Sequence, residues 1–386
     1  MQLKAEKCYY LISALNEFSY EVPYLSYFIF SALGLGYTYL YAGIFALFFG
    51  VLDYPTGGLA DRMGRKRVFA LGTFLVGINF LILAAYTNPL TVALAASLFG
   101  FGGALQSGSL EAWITDEMKR ENRFNQLDKV FGRATSLSLI ADVLAGVSGS
   151  IITYIGGYWW TISFAGIISM IATSSALLVM RENFGVEKKE PYLRLLKTGA
   201  NTIFRKKHLL LLSISQMIFV TGVYAYWETL TPIYGERKIP EAFFGVIGAA
   251  MHLPAVITTA YSHKLSRKLG TANSTLLLSG TWTLFCLLMI FLIDPYPTIV
   301  IAIILESIYA TRYPIMEFWR NQLIPSALRA TVLSGISTME HIGQAIILFI
   351  LSPIVEAYGT KAGLISAIAI TATAITFLLK LAKEKH

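Results

Sequence analysis

The sequence predicts an all-α membrane protein with twelve transmembrane helices in two pseudo-symmetric six-helix bundles. The first observation is composition: 55% of the 386 residues are hydrophobic and only 14% are charged, whereas a soluble domain carries about 25% charged residues. The second is length, because twelve helices of roughly 20 apolar residues use about 240 residues and leave short loops. The third is an internal repeat that relates the two halves of the chain.

Apolar stretches of membrane-spanning length recur along the whole chain. The first begins near Cys8. It is too long for the core of a signal peptide and no small-residue cleavage pattern follows it, so we interpret it as a helix of the mature protein. The predicted helices lie at roughly 8–33, 37–59, 68–86, 90–114, 130–154, 157–180, 208–234, 240–262, 272–293, 296–320, 331–355 and 360–381.

Lysine and arginine are distributed unevenly between the predicted loops. With the N-terminus placed inside, the outer loops hold only Arg237, Lys238 and Lys361, and the inner segments hold almost all the other basic residues. Because basic residues accumulate in cytoplasmic loops, this asymmetry predicts a cell-membrane protein with cytoplasmic N- and C-termini. The net charge of +8 is therefore attributed to membrane orientation rather than to nucleic-acid binding.

The longest inner loop divides the chain into two parts. It covers residues 181–207, is rich in Lys and Arg, and is predicted to form an amphipathic segment on the inner surface. This boundary gives an N-terminal bundle at 1–180 and a C-terminal bundle at 208–386. The two cysteines, Cys8 and Cys286, cannot be interpreted as a disulfide pair.

Short motifs recur in the same order in the two halves, which predicts two parallel six-helix repeats. Two of the motifs recur 206 residues further along the chain and a third recurs 196 residues further along, so one loop is ten residues shorter in the second half. We call the spacing of 206 residues the repeat offset. It relates Asp61 to Arg267, so the second copy of this motif has a cation where the first has an acid. The paired segments are 59–64 with 265–270, 111–113 with 317–319, and 133–138 with 329–334.

A polar segment lies between the second and third predicted helices. Its sequence is Gly57-Gly58-Leu59-Ala60-Asp61-Arg62-Met63-Gly64-Arg65-Lys66. Gly64 permits a backbone conformation that other residues resist, and the cations around it would hold the segment at the cytoplasmic side. The segment is similar, at every position of Gly-x-Leu-Ala-Asp-Arg-x-Gly-Arg-Lys, to the signature loop of the major facilitator superfamily of secondary transporters. The resemblance implies that superfamily's fold and transport by alternating access.

Ionisable side chains inside the predicted helices are the first candidates for function, because each costs about 2.5–3.5 kcal/mol at the centre of a membrane helix. On the first helix Glu17 and Glu21 are one turn apart, in a stripe with polar and aromatic residues. Two carboxylates this close should not both stay ionised, so we interpret them as a coupled proton site. The alternative is that one of them forms a structural pair with a basic residue on another helix.

The tenth predicted helix carries a second polar stripe. Glu306, Tyr309 and Tyr313 follow one face, and Arg312 lies beside them. Arg312 precedes a Tyr-Pro pair, where a kink would free backbone groups that need a partner. Arg312 is predicted to bind an anionic group of the substrate, to neutralise Glu306 when that residue loses its proton, or to form a structural pair with Glu306 or Glu317.

Other polar and aromatic residues at similar depth complete the candidates. His252 could relay protons, although a buried histidine is more often a neutral hydrogen-bonding residue. Glu228 corresponds roughly to Glu21 under the pseudo-symmetry that relates the two halves. The further proton-coupling candidates are Asp142 and Glu340; the further substrate-binding candidates are Glu228 and His341, together with Tyr20, Tyr24, Tyr224 and Trp227, which we expect to face the cavity.

Acidic and basic residues near the inner ends of the helices suggest a gate. They occupy corresponding places in the two halves, which predicts a salt-bridge cluster that ties the bundles together in one state. The alternative is a cluster that only fixes topology. The members are Glu111 with Arg133, Glu317 with Arg329, and the nearby Asp53, Asp61 and Arg65.

Together these features predict a proton-coupled secondary transporter for a small molecule, working as a monomer. The phosphate-binding pattern Gly-x-x-x-x-Gly-Lys-Ser/Thr is missing, so ATP is not the expected energy source, and no metal-ligand spacing or nucleophile motif predicts a cofactor or an enzyme. The first-helix carboxylates and the signature resemble proton-coupled antiporters that export drugs and other amphipathic compounds. Two features depart from that branch. Its members usually carry a Gly-Pro-rich motif in the fifth helix, whereas residues 145–150 have small residues but no proline. Its members also commonly carry a midmembrane arginine in the fourth helix, which this chain lacks.

Two other functions fit the same residues. One is a proton-coupled uptake symporter for a small anion or metabolite, in which Arg312 would bind the negative charge. The other is a membrane sensor or scaffold that keeps the fold without transport, against which the intramembrane acids count.

Overall fold

The computed structural model describes residues 4–18, 23–184, 201–324 and 329–383, and within these ranges the chain is helical with no β-strand. It divides into two compact units. Unit 1 comprises Met1–Leu33, Ile44–Lys189 and Glu241–Val246, and unit 2 comprises Gly34–Gly43, Glu190–Pro240 and Ile247–His386. Each unit therefore includes a short segment from the other half of the sequence.

The helices follow one another with short connections. The first eight are α1 Ala5–Asn16, α2 Leu25–Leu33, α3 Leu35–Met63, α4 Arg65–Ala85, α5 Pro89–Gln106, α6 Ser109–Arg120, α7 Leu127–Gly156 and α8 Tyr158–Val179. After the linker come α9 Lys207–Glu236, α10 Phe244–Ala260, α11 Ser262–Leu269, α12 Thr271–Phe291, α13 Pro295–Leu323 and α14 Arg329–Lys383. Short 3-10 turns at Phe124–Gln126 and Glu241–Phe243 precede α7 and α10.

Within the described ranges, ten helical stretches are long and apolar enough to cross a membrane. One of them, Val332–Ala382, contains Gly359 at φ 72° and ψ −164°, which divides α14 into two helices. The first predicted span is represented by α1 and α2. The structure confirms the predicted all-α membrane architecture.

The first predicted helix is not continuous, contrary to the expectation from its length. α1 ends at Asn16, Glu17 is its C-cap at φ −92° and ψ 7°, and the next described helix begins at Leu25. Pro23 is consistent with a helix boundary here, because proline lacks a backbone N–H and clashes with the preceding turn. α1 therefore does not continue past Glu17; Tyr20 and Glu21, and with them the predicted pairing of Glu21 with Glu17, lie outside the described residues.

The signature segment is mostly helix rather than loop. α3 continues to Met63, and only Gly64, at φ 100°, separates it from α4. The Glu182 carboxylate accepts the backbone N–H of Lys66 at 3.0 Å, and it occupies the space that a Cβ on Gly64 would need. A carboxylate is favourable there because the N-terminus of a helix carries partial positive charge.

The repeat predicted from sequence recurs in the backbone. Gly270 lies one repeat offset after Gly64 and also has a positive φ, 79°, at the N-cap of a long helix. Proline opens α5 after Asn88 and opens α13 after Asp294, and these two junctions are separated by the same offset. The offset that relates the sequence motifs therefore also relates helix boundaries.

Each unit has an apolar core that contains one tryptophan of the repeated Glu-x-Trp motif. Trp113 is 1% exposed, and its indole N–H donates to the carbonyl oxygen of Arg181 at 2.7 Å. Trp319, its counterpart in the second copy of the motif, is 3% exposed. Trp113 packs in a cluster with Ile12, Phe69, Ile114 and Met118, and Trp319 packs in a cluster with Leu212, Met316 and Leu378.

Arg123 precedes α7 and lies outside the membrane spans. It forms an ion pair with Glu6 in the first turn of α1. Its guanidinium donates to Glu6 at 2.5 Å and to Glu121 at 3.3 Å. The hydrogen bond to Glu6 raises the pKa of Arg123, so this cation stays charged throughout the physiological pH range. The pair connects the start of α1 to the segment that precedes α7.

The two repeat-related glycines provide a matched test of this account. Gly64→Ala and Gly270→Ala should each lower stability by about 1–3 kcal/mol, because both positions have positive φ. Gly64→Ala should lower stability more than Gly270→Ala, because the new Cβ at position 64 would displace the Glu182 side chain. No atom of the described residues lies within 4 Å of a Cβ at position 270. The measurement is the thermal unfolding temperature of the purified protein in detergent.

A double variant isolates the steric part of that difference. In a Glu182→Ala background, Gly64→Ala should cost no more than Gly270→Ala, because the clashing carboxylate is gone. Equal losses from the two glycine substitutions in the wild-type background would contradict the position assigned to Glu182.

Candidate functional site

Three carboxylates converge on one cleft in unit 1, which we call the acid cleft and define by Glu17, Glu111 and Asp142. Its volume is about 350 Å³. Glu17 comes from the end of α1, Glu111 from α6 and Asp142 from α7, and both of the latter repel the Glu17 carboxylate electrostatically. Among the described residues, no Lys or Arg lines the cleft. The other polar lining residues described are Ser13, Asn16, Gln106, Thr135 and Ser138.

An aromatic cleft adjoins the acid cleft. Its volume is about 380 Å³, and it shares Glu17 and Glu111 with the acid cleft. Its far wall contains Phe45 and Phe99, whose ring centroids are 4.8 Å apart. Negative charge and aromatic surface therefore lie side by side in one unit.

Gln106, the last residue of α5, lines both clefts. Its side-chain amide donates to the Thr73 hydroxyl at 3.0 Å, and Thr73 in turn donates to the carbonyl oxygen of Phe69 on α4. α5 ends here because Gly108 adopts φ 68°, so the single helix predicted over 90–114 is divided into α5 and α6. Gln106 is thus positioned by a helix end and a hydrogen bond.

The signature segment forms an ion-pair network within unit 1. Arg65 is only 8% exposed; it pairs with Asp61 at 3.1 Å and with Asp116, and donates to the carbonyl oxygen of Ala112 at 2.6 Å. Asp116, on α6, was missed by the sequence analysis. Lys66 and Arg62 lie beside this network in sequence, and Asp53 and Gly57 lie within α3.

The predicted pair of Glu111 with Arg133 is not formed. Glu111 faces the acid cleft, whereas Arg133 is exposed on α7 and lines a separate surface cavity with Lys129. Glu111 on α6 and Arg133 on α7 therefore face different cavities. In this structure Asp116, rather than Glu111, is the acid that α6 contributes to the Arg65 network.

The corresponding residues of unit 2 are arranged differently. Glu317 pairs with Arg320, one turn along α13, and Arg320 also pairs with Glu340 of α14 at 2.8 Å. Glu340 is thus placed in an ion-pair network. The side chain of Arg329, the predicted partner of Glu317, lies outside the described residues.

Arg312 is completely buried in α13 and held mainly by neutral groups. Its Nε donates to the Ser279 hydroxyl at 2.8 Å and its Nη1 donates to the Gln216 side-chain oxygen at 2.7 Å. The guanidinium carbon lies 3.8 Å from the centroid of the Phe219 ring, a cation–π distance. Glu317, a predicted partner of Arg312, is engaged by Arg320 instead.

Five predicted residues of unit 2 form an aromatic and acidic cluster. The Trp227 ring meets those of Tyr224 and Tyr309 edge to face, with centroids 5.2 and 5.1 Å apart, and its N–H donates to Glu306 at 3.3 Å. Glu228 acts electrostatically on Tyr224. These contacts join α9 to α13 and place carboxylates next to aromatic rings.

Three other candidates lie apart from this cluster. Tyr24 is fully buried; its hydroxyl accepts the backbone N–H of Gly245 at 3.0 Å, so the expectation that it faces a cavity is wrong. Tyr313 is 49% exposed on α13. His341 is held on α14, with Nδ1 2.8 Å from the carbonyl oxygen of Ser337.

Gln106 and Thr73 were also missed, although the sequence contained a signal for them. Ser279 lies one repeat offset after Thr73, Arg312 lies one repeat offset after Gln106, and both pairs are hydrogen-bonded. Aligning the halves at the offset of the recognised motifs would have pointed to all four. Asp116 gave no such signal, because the residue one repeat offset after it is the neutral Gln322, and Glu182 lies in the linker between the two halves.

Apolar helical spans of membrane length, arranged in two related halves, define a membrane transporter of the secondary type. The chain matches the sequence profile of the Major Facilitator Superfamily over residues 9–238 and belongs to that superfamily. It is 22% identical over 324 residues to the "Uncharacterized MFS-type transporter YxaM" of Bacillus subtilis (strain 168), covering 81% of this chain and 79% of that protein. It is 24% identical over 300 residues to the "Molybdate-anion transporter" of Xenopus laevis, covering 75% of this chain and 65% of that protein.

Solved structures of transporters share the fold. The nucleoside transporter NupG superposes with a TM-score of 0.78 at 15% identity, covering 99% of this chain and 99% of that one. A bacterial homologue of the iron transporter ferroportin, in an inward-facing state, superposes with a TM-score of 0.75 at 14% identity, covering 99% of both chains. At these identities the likeness concerns the fold alone.

The signature network yields a stability contrast. Asp116→Asn should lower the unfolding temperature, at a cost of about 1–3 kcal/mol, because the buried Arg65 guanidinium loses one of its two carboxylates. Arg133→Ala should leave it nearly unchanged, since Arg133 is exposed and does not pair with Glu111. Thermal unfolding in detergent measures both. A loss from Arg133→Ala as large as that from Asp116→Asn would contradict this assignment of partners.

Proposed function

We propose that this transporter is a proton-coupled exporter of cationic, amphipathic compounds, acting by alternating access. The observation that carries the proposal is the convergence of Glu17, Glu111 and Asp142 on a cleft whose described lining contains no Lys or Arg. Carboxylates that share a cleft repel one another, which favours the binding of a proton or another cation there. We further propose a monomer in the cell membrane with cytoplasmic termini.

Coupling would follow from competition for the same charge. A bound organic cation neutralises the cleft as a proton does, so binding of one favours release of the other. A proton that enters from outside and leaves inside could then drive a cation the other way. A one-for-one exchange moves no net charge, so the pH gradient supplies the energy, about 1.4 kcal/mol for each pH unit. Competition for the shared cleft thus provides for antiport.

Aromatic surface beside the carboxylates supports an amphipathic substrate. The wall containing Phe45 and Phe99 adjoins the acid cleft. In unit 2 the rings of Tyr224, Trp227 and Tyr309 lie beside Glu306. Aromatic faces attract organic cations through their quadrupole, most strongly when water is excluded.

A proton-coupled uptake symporter for a small anion is the second candidate. It is favoured by one atom: Nη2 of Arg312 is buried without a hydrogen-bond partner among the described residues. The name of the relative from Xenopus laevis, "Molybdate-anion transporter", points the same way. Against it, the other guanidinium nitrogens of Arg312 are engaged and the side chain is completely buried.

Flux in proteoliposomes separates the two functions. We expect uptake of an organic cation into vesicles to be driven by an acidic lumen, and we expect no anion uptake driven by an acidic exterior. Tetraphenylphosphonium, an aromatic tertiary amine and molybdate would be the probes. Molybdate uptake coupled to proton entry would overturn the exporter in favour of the symporter, and no flux of any probe would favour a sensor.

Glu17 is expected to be a member of the proton site. Glu17→Gln keeps the shape of the side chain while removing its charge, and it should abolish accumulation driven by a pH gradient while counterflow exchange persists. Glu121→Gln is the control, because it removes a carboxylate that pairs with Arg123 away from the cleft. If Glu17→Gln still concentrates the cation, coupling belongs to Asp142 or Glu111, tested by the same kind of substitution.

Trp227 is expected to contribute to substrate affinity through its ring. Trp227→Leu should weaken binding of an aromatic cation by about 1–2 kcal/mol, roughly 5- to 30-fold, because a cation–π contact is lost. Trp227→Tyr retains an aromatic face and should lose less. Equilibrium binding of a fluorescent cation to the purified protein measures both, and equal losses would assign the effect to packing rather than to the ring.

A further inference from the structure

One hydrogen-bonded pair occurs in both repeats with a different charge in each. In unit 1 the Gln106 side chain donates to the Thr73 hydroxyl at 3.0 Å, and in unit 2 the Arg312 side chain donates to the Ser279 hydroxyl at 2.8 Å. Each member of the second pair lies one repeat offset after its counterpart in the first. The same offset relates the helix junctions described above, so the two pairs occupy equivalent positions.

The helices around these pairs are equivalent as well. Gln106 ends α5 shortly before Gly108, where φ is 68°. Arg312 shortly precedes Pro314 inside α13. In each unit, therefore, a residue that disfavours regular helix follows shortly after Gln106 or Arg312. In each unit the side chain also donates a hydrogen bond to a hydroxyl on the preceding long helix.

The charge at this position matches the electrostatic character of each unit. In unit 2 the cation Arg312 acts on Glu340, which is also paired with Arg320. In unit 1 the equivalent Gln106 is neutral and lines the cleft with Glu17 and Glu111, where the described lining has no Lys or Arg. The repeat therefore carries a fixed cation at this position in one unit and a neutral amide in the other.

We propose that Gln106 is the residue that determines the charge selectivity of the acid cleft. A neutral amide at this position keeps the cleft negative, so it accepts protons and organic cations; an arginine there would neutralise the carboxylates and exclude cations. This inference rests on the proposed exporter function and adds the specificity-determining residue to it.

The site can accommodate the larger side chain. Gln106 borders two clefts with volumes of about 350 and 380 Å³, which leaves room for a guanidinium. Thr73 offers the hydroxyl acceptor that Ser279 provides to Arg312. A cation at the C-terminal end of α5 is also favoured by the helix dipole.

The experiment compares Gln106→Arg with Gln106→Met and measures binding of tetraphenylphosphonium and of a neutral amphiphile between pH 5 and 8. The wild type should bind the cation more tightly as pH rises, since proton loss exposes the carboxylates. Gln106→Arg should weaken cation binding at least ~tenfold, as expected for a charge within several ångströms, and should flatten its pH dependence. Gln106→Met removes the Thr73 bond without adding charge, so it should affect both probes alike and keep the pH dependence.

Two further variants keep the test independent of folding. Gln106→Glu is nearly isosteric and should strengthen cation binding at pH 8 severalfold, in the direction opposite to arginine. Gln322→Arg adds a cation at an exposed position of α13 and should leave the ratio of cation to neutral binding unchanged. Monodispersity and the unfolding temperature report whether each variant is folded.

The outcomes distinguish the inference from the function on which it rests. Wild-type cation binding that depends on pH, with Gln106→Arg and Gln106→Glu both retaining the wild-type selectivity, would overturn the inference alone. Wild-type protein that shows no pH-dependent cation binding would overturn the exporter function, and the inference with it. Opposite shifts from Gln106→Arg and Gln106→Glu, with Gln106→Met keeping selectivity, would establish it.

Discussion

The structure depends on one constraint: a charged side chain among apolar helices has no water to solvate it, so it must find partners within the protein. Arg65 meets this requirement with Asp61 and Asp116, and Arg320 meets it with Glu317 and Glu340. Each of these guanidiniums is almost buried, and each binds two carboxylates. In the acid cleft three carboxylates share a described lining that contains no Lys or Arg, and we propose that protons or an organic cation bind there.

The two halves share a backbone plan but differ in charge. Helix junctions at Gly64 and Gly270, the buried Trp113 and Trp319, and the hydroxyl-bound side chains of α5 and α13 all follow the same offset. Charges follow it only in part: Glu317 repeats Glu111, but Arg267 replaces Asp61 and Arg312 replaces Gln106. A side chain can change without altering the helix that carries it. This divergence of charge on a repeated scaffold underlies our proposal that one unit holds a fixed cation while the other binds a mobile one.

Helix ends carry much of the local chemistry. Glu182 and Asn183, which follow α8, contact the N-terminus of α4 next to the signature segment, with the Arg65 backbone N–H donating to the carbonyl oxygen of Asn183 at 3.0 Å. Glu17 itself is a helix C-cap, and Gln106 ends α5. Unsatisfied backbone groups at such ends attract polar side chains, so interruptions of long apolar helices place polar groups at depths where continuous helix would not need them.

The sequence alone determined the number of spans, the repeat and the superfamily, because bilayer thickness fixes the length of an apolar helix and the signature segment is contiguous. It also identified Glu17, Asp142 and Glu306 as candidates. Only the tertiary structure decided which acids meet: the carboxylates facing Glu17 come from α6 and α7, which are far from it in sequence. The rotation of each helix about its axis is set by side-chain packing against its neighbours, and a run of apolar residues on every face leaves that rotation undetermined by sequence.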